Sequence, residues 1–554
     1  MVRPWEGAWG SEGIVPWVRI APGSNNGPQL EVGAKFGYSV AVIGDLDNNG
    51  IDDLAVGAIG ENTDYDDGEG LLLGTGGIYV LFMSDSGSVL SHVHINGRDG
   101  NGGPILSKED RFGFSIAGIG DLDGDGVPDL AVGAPGIRVA SLYVLYLNSN
   151  GTARDHVLIR GDYSDRGGTT TANQNVTQVN DTALTGIYWE INGPDIFYGS
   201  RLGFAVAAMG DMDGNGVTEI AVSALDFAGG VSTIFILYMQ RNGSVSRYTS
   251  IRANQNGGPN IPSSFTGYGS ALLSMPDFDG DGIRELVVGS RDMYDPGSVN
   301  VRAGINYFHF MNANGTAKRV SAIGEWSLGA EPPLAMPSQE RDQCGSSLAH
   351  IGDINRDQYS QRRYWRISTD PPRPSVDDFI TGCPQSTAGS GPGKIMLLFM
   401  DSLGALQGYT VLPAATDEGV GPPLLSKDGF GQSLAGYQDL DSNGLREVVV
   451  GAPGDDNNSS FVFTETGAVY IIFLRRRRWS WVPFDWVGYW AAIFVPLGCC
   501  FCSFVSGIAY FFYYFRRRPD EVERIVKMSG YEMKKERTRY KKPANQVYAD
   551  NYTV

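Results

Sequence analysis

The stretch DLDNNGIDDLAVGA (45–58) decides the fold, because it returns. DLDGDGVPDLAVGAP (121–135) repeats it almost residue for residue, and DMDGNGVTE (211–219), DFDGDGIRE (277–285) and DLDSNGLRE (439–447) align with its first nine positions without gaps. A sixth, degenerate copy opens as DINRD (353–357) and resumes as VDDFITGCP (376–384) after an insertion. Successive copies start 76, 90, 66, 76 and 86 residues apart. Self-similarity at long period marks a repeat architecture, and unequal spacing means that loops vary while the unit recurs.

Each copy sits in one frame. A small apolar run precedes it, as in SVAVIG (39–44), and a hydrophobic run follows, as in DLAVGA (53–58). Short runs broken by glycine and aspartate read as strands joined by a tight loop. A third strand follows, for instance GGIYVLFM (76–83), then a turn ending at Gly87, Gly151, Gly243, Gly315 or Gly404, then a fourth strand such as VLSHVHI (89–95). Four antiparallel strands, six times over, make an all-β propeller spanning residues 13–474. The sixth repeat stops after its third strand at Leu474, while the chain opens with GIVPWVRIAPGSNNGP (13–28), which matches fourth-strand segments such as VHINGRDGNGGP (93–104). The N-terminus is therefore expected to close the last blade, leaving no exposed edge. Six blades are expected, with a seventh left open if the chain begins further upstream.

Composition fits. The 554 residues include 75 glycines and 28 prolines, which suits many turns. Asp and Glu (62) outnumber Lys and Arg (43), giving a net charge of −19. So acidic a chain repels phosphates, which excludes a nucleic-acid partner.

Phe36-Gly37 with Gly57-Ala58, Phe112-Gly113 with Gly133-Ala134-Pro135, and Phe430-Gly431 with Gly451-Ala452-Pro453 resemble the FG-GAP repeat of integrin α-subunit propellers. Leu202-Gly203, Tyr268-Gly269 and Cys344-Gly345 are looser versions. The resemblance implies a β-propeller with calcium in hairpin loops on one face and ligand recognition by other surface loops. Integrin α subunits carry leg domains between propeller and membrane, and no segment of that size lies between Leu474 and the apolar run at 486. The resemblance is thus to the module, and an integrin β-type partner does not follow from it.

The loops are built for a hard cation. Positions 1, 3, 5 and 9 carry side-chain oxygens, position 7 can offer its carbonyl, and glycine at position 6 permits the turn. The ligand sets are Asp45, Asp47, Asn49 and Asp53; Asp121, Asp123, Asp125 and Asp129; Asp211, Asp213, Asn215 and Glu219; Asp277, Asp279, Asp281 and Glu285; and Asp439, Asp441, Asn443 and Glu447. An all-oxygen set without His or Cys favours calcium over zinc. The flanks are strands, and no glutamate stands at position 12, so these are not EF-hands. A metal-free acidic Asx-type turn is the alternative. Five in register argue against it, because packed carboxylates repel unless a cation neutralises them. The degenerate loop offers Asp353, Asn355, Asp357 and Asp378, a sixth site left open because Gln358 replaces the position-6 glycine. Its insertion (358–375) is basic and aromatic, readable as a recognition loop or as a solvated variable segment. Cys344 and Cys383 flank the first two strands of that blade and are expected to form a disulfide.

Beyond the propeller, residues 475–485 read as a basic and aromatic juxtamembrane linker. Residues 486–515 carry no charge and exceed the roughly 20 residues needed to span a bilayer. Residues 516–554 form a basic tail. It holds eleven Lys and Arg against four just upstream of the span, so the positive-inside bias places the tail in the cytosol and the propeller outside. The expected location is the cell membrane, crossed once. Sequons at Asn150, Asn175, Asn180, Asn242, Asn314, Asn457 and Asn458 agree with an exterior, glycosylated propeller. Residues 1–13 have no apolar signal-peptide core, so the reading expects either a start upstream or the opposite orientation. In the tail, Asn545-Gln546-Val547-Tyr548 and the final Tyr552-Thr553-Val554 are short candidate adaptor-binding strings, beside the plainer reading of a solvated tail.

Three functions compete. The first is a surface receptor whose propeller binds an extracellular protein or glycan. The second is a structural coat or scaffold. The third is a calcium-dependent glycan-acting enzyme, which the sequence disfavours. The five histidines (His92, His94, His156, His309, His350) are scattered, and no nucleophile elbow, HExxH or P-loop occurs, so no catalytic residue is assigned.

Overall fold

The structure, a computed structural model, describes residues 16–61, 74–107, 109–136, 140–164, 190–197, 200–226, 232–261, 266–293, 304–323, 342–355, 376–385, 391–412, 422–456 and 465–475. Six features read from the sequence lie outside those residues: the linker beyond Arg475, the span at 486–515, the tail, the insertion at 358–375, Asp357, and the sequons at Asn175, Asn180, Asn457 and Asn458. Among the described residues no helix is long and apolar enough to cross a membrane.

Strand β1 is Trp17–Ile20. The first blade follows as β2 (Phe36–Gly44), β3 (Asp53–Ala58), β4 (Gly77–Met83) and β5 (Val89–Ile95). The second is β6 (Ser115–Gly120), β7 (Asp129–Ala134), β8 (Ser141–Leu147), β9 (Ala153–Ser164) and β10 (Glu190–Phe197). The third is β11 (Ser200–Gly210), β12 (Glu219–Asp226), β13 (Thr233–Met239) and β14 (Val245–Arg252). The fourth is β15 (Tyr268–Met275), β16 (Glu285–Ser290), β17 (Ile305–Met311) and β18 (Ala317–Ile323). The fifth is β19 (Ser347–Gly352), β20 (Asp378–Cys383), β21 (Lys394–Met400) and β22 (Leu406–Leu412). The sixth is β23 (Ser433–Gly436), β24 (Val448–Ala452) and β25 (Ala468–Ile472), completed by β1.

Six sheets form among the described residues, five of them four-stranded. The second departs from the expected four: β10 adds a fifth strand, parallel to β9, from Glu190 opposite Leu158 to Phe197 opposite Ser164. Closure follows the sequence reading. β1 pairs antiparallel with β25, Trp17 opposite Ile472 through Ile20 opposite Val469.

Burial explains the layering. The second and third strands are buried at every residue in the first blade, whereas β5 is buried only at Val89 and Ile95 and exposed or half-buried between them, as an outer strand should be. The apolar core lies between blades rather than within them. One cluster joins Ile78, Val80 and Phe82 of the first blade to Val132 and Tyr143 of the second. Another joins Val449 and Ile471 of the sixth to Val56 and Leu81 of the first, which closes the ring.

The FG-GAP glycines have a physical reason at these interfaces. A Cβ at Gly57 would stand 2.0 Å from the Gly113 carbonyl oxygen, and one at Gly451 would stand 1.9 Å from that of Gly37. Only glycine lets neighbouring backbones approach so closely. The same carbonyls are capped by serines: Ser39 Oγ donates to Gly113 (2.6 Å), Ser115 to Gly203 (2.9 Å), Ser270 to Gly345 (2.8 Å), Ser347 to Gly431 (2.7 Å) and Ser433 to Gly37 (2.8 Å). The third blade inverts the arrangement. Ser223 replaces the glycine, Ala205 replaces the serine, and Ser223 Oγ accepts the Ala205 N–H at 2.9 Å.

Candidate metal centres

Each aspartate loop joins the first strand of a blade to its second. The position-1 aspartate folds the loop around itself: Asp45 Oδ1 accepts the Asn49 N–H (3.0 Å) and Oδ2 accepts that of Gly50 (2.8 Å). Asp121, Asp211, Asp277 and Asp439 hold Gly126, Gly216, Gly282 and Gly444 in the same way, at 2.7–2.8 Å. These glycines have φ between +79° and +91°, the left-handed region that position 6 requires.

Position 9 begins the second strand, and its carboxyl group is buried. Asp53, Asp129, Glu219, Glu285, Asp378 and Glu447 are all 0% exposed. Asp53 shows the role, accepting the N–H of Leu46 inside the loop (2.9 Å) and that of Met83 at the end of the third strand (2.9 Å). Asp129 does the same with Leu122 (2.9 Å) and Leu147 (3.1 Å), and Asp378 with Ile354 (3.1 Å) and Met400 (3.0 Å). Burial pushes these carboxyls up, Asp53 to about 6, Asp129 to about 7 and Asp378 to about 8, while the backbone donors pull the other way. Glu219, Glu285 and Glu447 rise to about 7, also through burial first, with nearby aspartates adding to it.

Carboxylate oxygens of positions 1, 3 and 9 converge to within 4.8 Å of one another in five loops: Asp45, Asp47 and Asp53; Asp121, Asp123 and Asp129; Asp211, Asp213 and Glu219; Asp277, Asp279 and Glu285; and Asp439, Asp441 and Glu447. In the three glutamate loops the second oxygen is also an orphan: Oε1 of Glu219, Glu285 and Glu447 is buried without a hydrogen-bond partner. A buried, unpaired carboxylate oxygen beside two more carboxylates is costly, and a hard divalent cation relieves all three. The donor set therefore fits calcium or a similar ion, whose contribution would be to neutralise the loop and tie it to the second strand.

Position 5 behaves differently from the sequence reading. Asn49, Asn215 and Asn443 point Nδ2 at carbonyls ending the third strand, Met83 (3.0 Å), Met239 (3.3 Å) and Leu474 (2.8 Å). Asp125 and Asp281 cannot donate and instead meet a cation. Arg154 bridges Asp123 and Asp125, and Lys318 Nζ lies 2.9 Å from Asp279 Oδ2 while also contacting Asp281. Neither Asp125 nor Asp281 joins the convergent groups. In the degenerate loop, Asp353, Asn355 and Asp378 form no such cluster among the described residues. Asp378 has the backbone-tying role of the other position-9 carboxyls.

Arg154 and Lys318 went unread in the sequence. The signal was there: each follows a Gly-Thr-Ala turn (151–153 and 315–317), and each accompanies a loop with aspartate at position 5. In the fifth blade, Cys344 and Cys383 form a disulfide with Cα atoms 4.1 Å apart. Asn150, Asn242 and Asn314 are exposed on third-to-fourth-strand turns, at the same end of the blades as the aspartate loops.

The opposite end carries different chemistry. Tyr38, Phe114 and Phe204 each follow the glycine of an FG-type pair and stack in series, with ring centroids 4.8 and 4.7 Å apart. Arg291 lies over Phe204, 5.1 Å from the ring centroid. A cleft of about 260 Å³ opens there between the fifth, sixth and first blades, lined by Lys35, Tyr38, Gln385, Lys427, Gln432 and Glu465 among others.

The FG-GAP repeat family model matches residues 112–140 and 430–472, in the second and sixth blades. Integrin alpha-6 of Homo sapiens is 32% identical over 120 residues, covering 21% of this chain and 9% of that protein. Integrin alpha-5 of Xenopus laevis is 37% identical over 106 residues, covering 19% and 9%. Integrin alpha-PS2 of Drosophila melanogaster is 27% identical over 228 residues, covering 40% and 14%. The matched part thus spans about a tenth of the length of these relatives. Among solved structures, rhamnogalacturonan lyase YesW superposes with a TM-score of 0.32 at 14% identity, covering 84% of this chain and 76% of that one, which carries no argument about activity. The repeats, the relatives and the six closed sheets agree: the chain carries an FG-GAP β-propeller module similar to that of integrin α subunits.

Proposed function

We propose that the protein is a single-pass cell-surface receptor whose calcium-stabilised propeller binds an extracellular protein or glycan, with residues 516–554 in the cytosol. The observation that carries this reading is the convergence of three carboxylates in five loops on a propeller whose relatives are integrin α subunits. Sites of this kind, with affinities of roughly 10⁻⁴–10⁻³ M, suit a calcium-rich exterior. The sequons at Asn150, Asn242 and Asn314 share the metal-loop end, so glycans there would leave the opposite end free. The ligand face of this proposal is that opposite end, with its aromatic series and cleft. The uncharged run at 486–515 serves as the anchor.

The test is a matrix-protein and glycan array probed with the intact protein, in calcium and in chelator. Saturable binding to one ligand class, lost on chelation, supports the reading. Turnover of a glycan, or regular self-assembly without any ligand, would replace it.

A further inference from the structure

We propose that Arg154 and Lys318 are built-in counter-cations that compete with metal in the loops of the second and fourth blades, setting those two sites apart from the others. The inference rests on the metal reading of the loops and goes beyond it.

The loops differ at position 5, and the fourth strand differs with them. At positions 1, 3, 5 and 9 the Asn49 and Asn443 loops carry three acidic groups, and among the described residues no ion pair reaches Asp45, Asp47, Asp439 or Asp441. The loops at 121–129 and 277–285 carry four acidic groups, and each receives one basic side chain. Arg154 and Lys318 occupy the same place in their blades, the second residue of β9 and of β18. The equivalent residues of β5 and β14 are Leu90 and Ser246, in blades whose loops have asparagine at position 5. At position 5, then, the one added negative charge comes with one added positive charge on the fourth strand.

The contacts also fall where a metal would have to draw its ligands. Arg154 holds Asp123, and Lys318 holds Asp279, the position-3 members of two convergent groups. A divalent ion that uses position 3 fully must displace the basic side chain. Both cations are partly exposed, 42% for Arg154 and 28% for Lys318, so their charged ends can turn into solvent, which for Arg154 gives up a place 5.8 Å from the Tyr146 ring centroid. The third loop is intermediate: Arg247 Nη2 stands 3.3 Å from Asp213, while its guanidinium stacks 3.3 Å from the Tyr238 ring centroid. In the absence of metal, position 3 of the second and fourth hairpins is thus ion-paired from within, while Asp47 and Asp441 of the first and sixth are in no ion pair among the described residues.

The experiment uses the intact chain in detergent, stripped with chelator, comparing wild type with the double variant Arg154→Gln/Lys318→Gln. Calcium titration calorimetry and thermal melting are both read. Removing a unit charge in contact with a divalent ion tightens binding about tenfold or more at two sites, even with solvent screening. In chelator, the variant melts below wild type, because its four-acid loops are left uncompensated. In saturating calcium the deficit vanishes. The pair Arg154→Lys/Lys318→Arg keeps wild-type behaviour in both conditions. An isotherm unchanged in the double variant overturns the competition while leaving the metal sites standing. A Tm deficit of equal size with and without calcium overturns it too, since that would be plain loss of packing. If neither protein binds calcium, the metal reading fails and the inference with it.

Discussion

Replacing Arg19 by methionine probes how the ring is closed. Arg19 lies on β1, the N-terminal strand that completes the sixth blade, opposite Tyr470 in the register. Its Nη2 donates to Asp455 Oδ1 (2.8 Å) and its Nε to Asp455 Oδ2 (3.1 Å), while the Tyr470 hydroxyl donates to the same carboxylate. The pair is nearly enclosed, at 12% and 8% exposure. Methionine keeps the apolar stem but removes the positive charge from beside a buried carboxylate, which costs about 3–5 kcal/mol. An unfolding entropy near 2.1 cal/mol/K per residue, over a ring of this size, makes 1 kcal/mol worth roughly 1 °C. Calorimetry in calcium is therefore predicted to show Tm falling by about 3–5 °C. The surface pair Lys35–Glu465, 3.4 Å apart and about half exposed, is the control. Lys35→Met is predicted to shift Tm by less than about 1 °C. The double variant Arg19→Met/Asp455→Asn should recover part of the loss, because the buried charge is gone. An Arg19→Met protein that melts with wild type would refute closure through this pair.

Other outcomes follow from the same geometry. Gly57→Ala forces a Cβ to 2.0 Å from a neighbouring carbonyl and should prevent ring closure, seen as loss of soluble monodisperse protein, whereas alanine at the exposed Gly23, with open space around it, should be tolerated apart from its φ of +72°. Replacing Cys344 and Cys383 by serine opens a crosslink spanning 39 residues and should lower stability by about 4 kcal/mol, read as a reduced denaturation midpoint. In chelator, stability should fall as pH rises from about 4 to about 8, because Asp110, Asp129, Asp378 and Asp428 hold protons in the folded state, at about 6, 7, 8 and 7, that they release when unfolded. His309, lowered to about 4 by burial, and His92 and His156, lowered by burial too, work the other way but are outnumbered by the raised carboxyls. Calcium should flatten the part of this dependence owed to the loops, and equal pH profiles with and without calcium would contradict it.

The repeat made most of the fold legible. The position-6 glycines, the acidic ligands and the FG-type pairs recur within one chain, so each blade served as a comparison for the others. What stayed hidden does not recur. Among the described residues β10 belongs to a single blade, with no second copy to align. Ser223 breaks the glycine rule of the second strand, and only the hydrogen bond from Ala205 explains the exchange. Position 9 was read simply as a ligand, because sequence spacing does not reveal that its carboxyl is buried and tied to the third strand. Arg154 and Lys318 lie 31 and 39 residues from the aspartates they meet, and only strand pairing brings them there.

The central claim is that divalent metal in five loops pins the first hairpin of each of those blades, and thermal melting of the intact protein tests it most directly. At 10 mM calcium, sites with affinities of 10⁻⁴–10⁻³ M each contribute about 1.4–2.7 kcal/mol. Five such sites predict a Tm at least about 5 °C higher in calcium than in chelator. The same Tm in both would contradict the account.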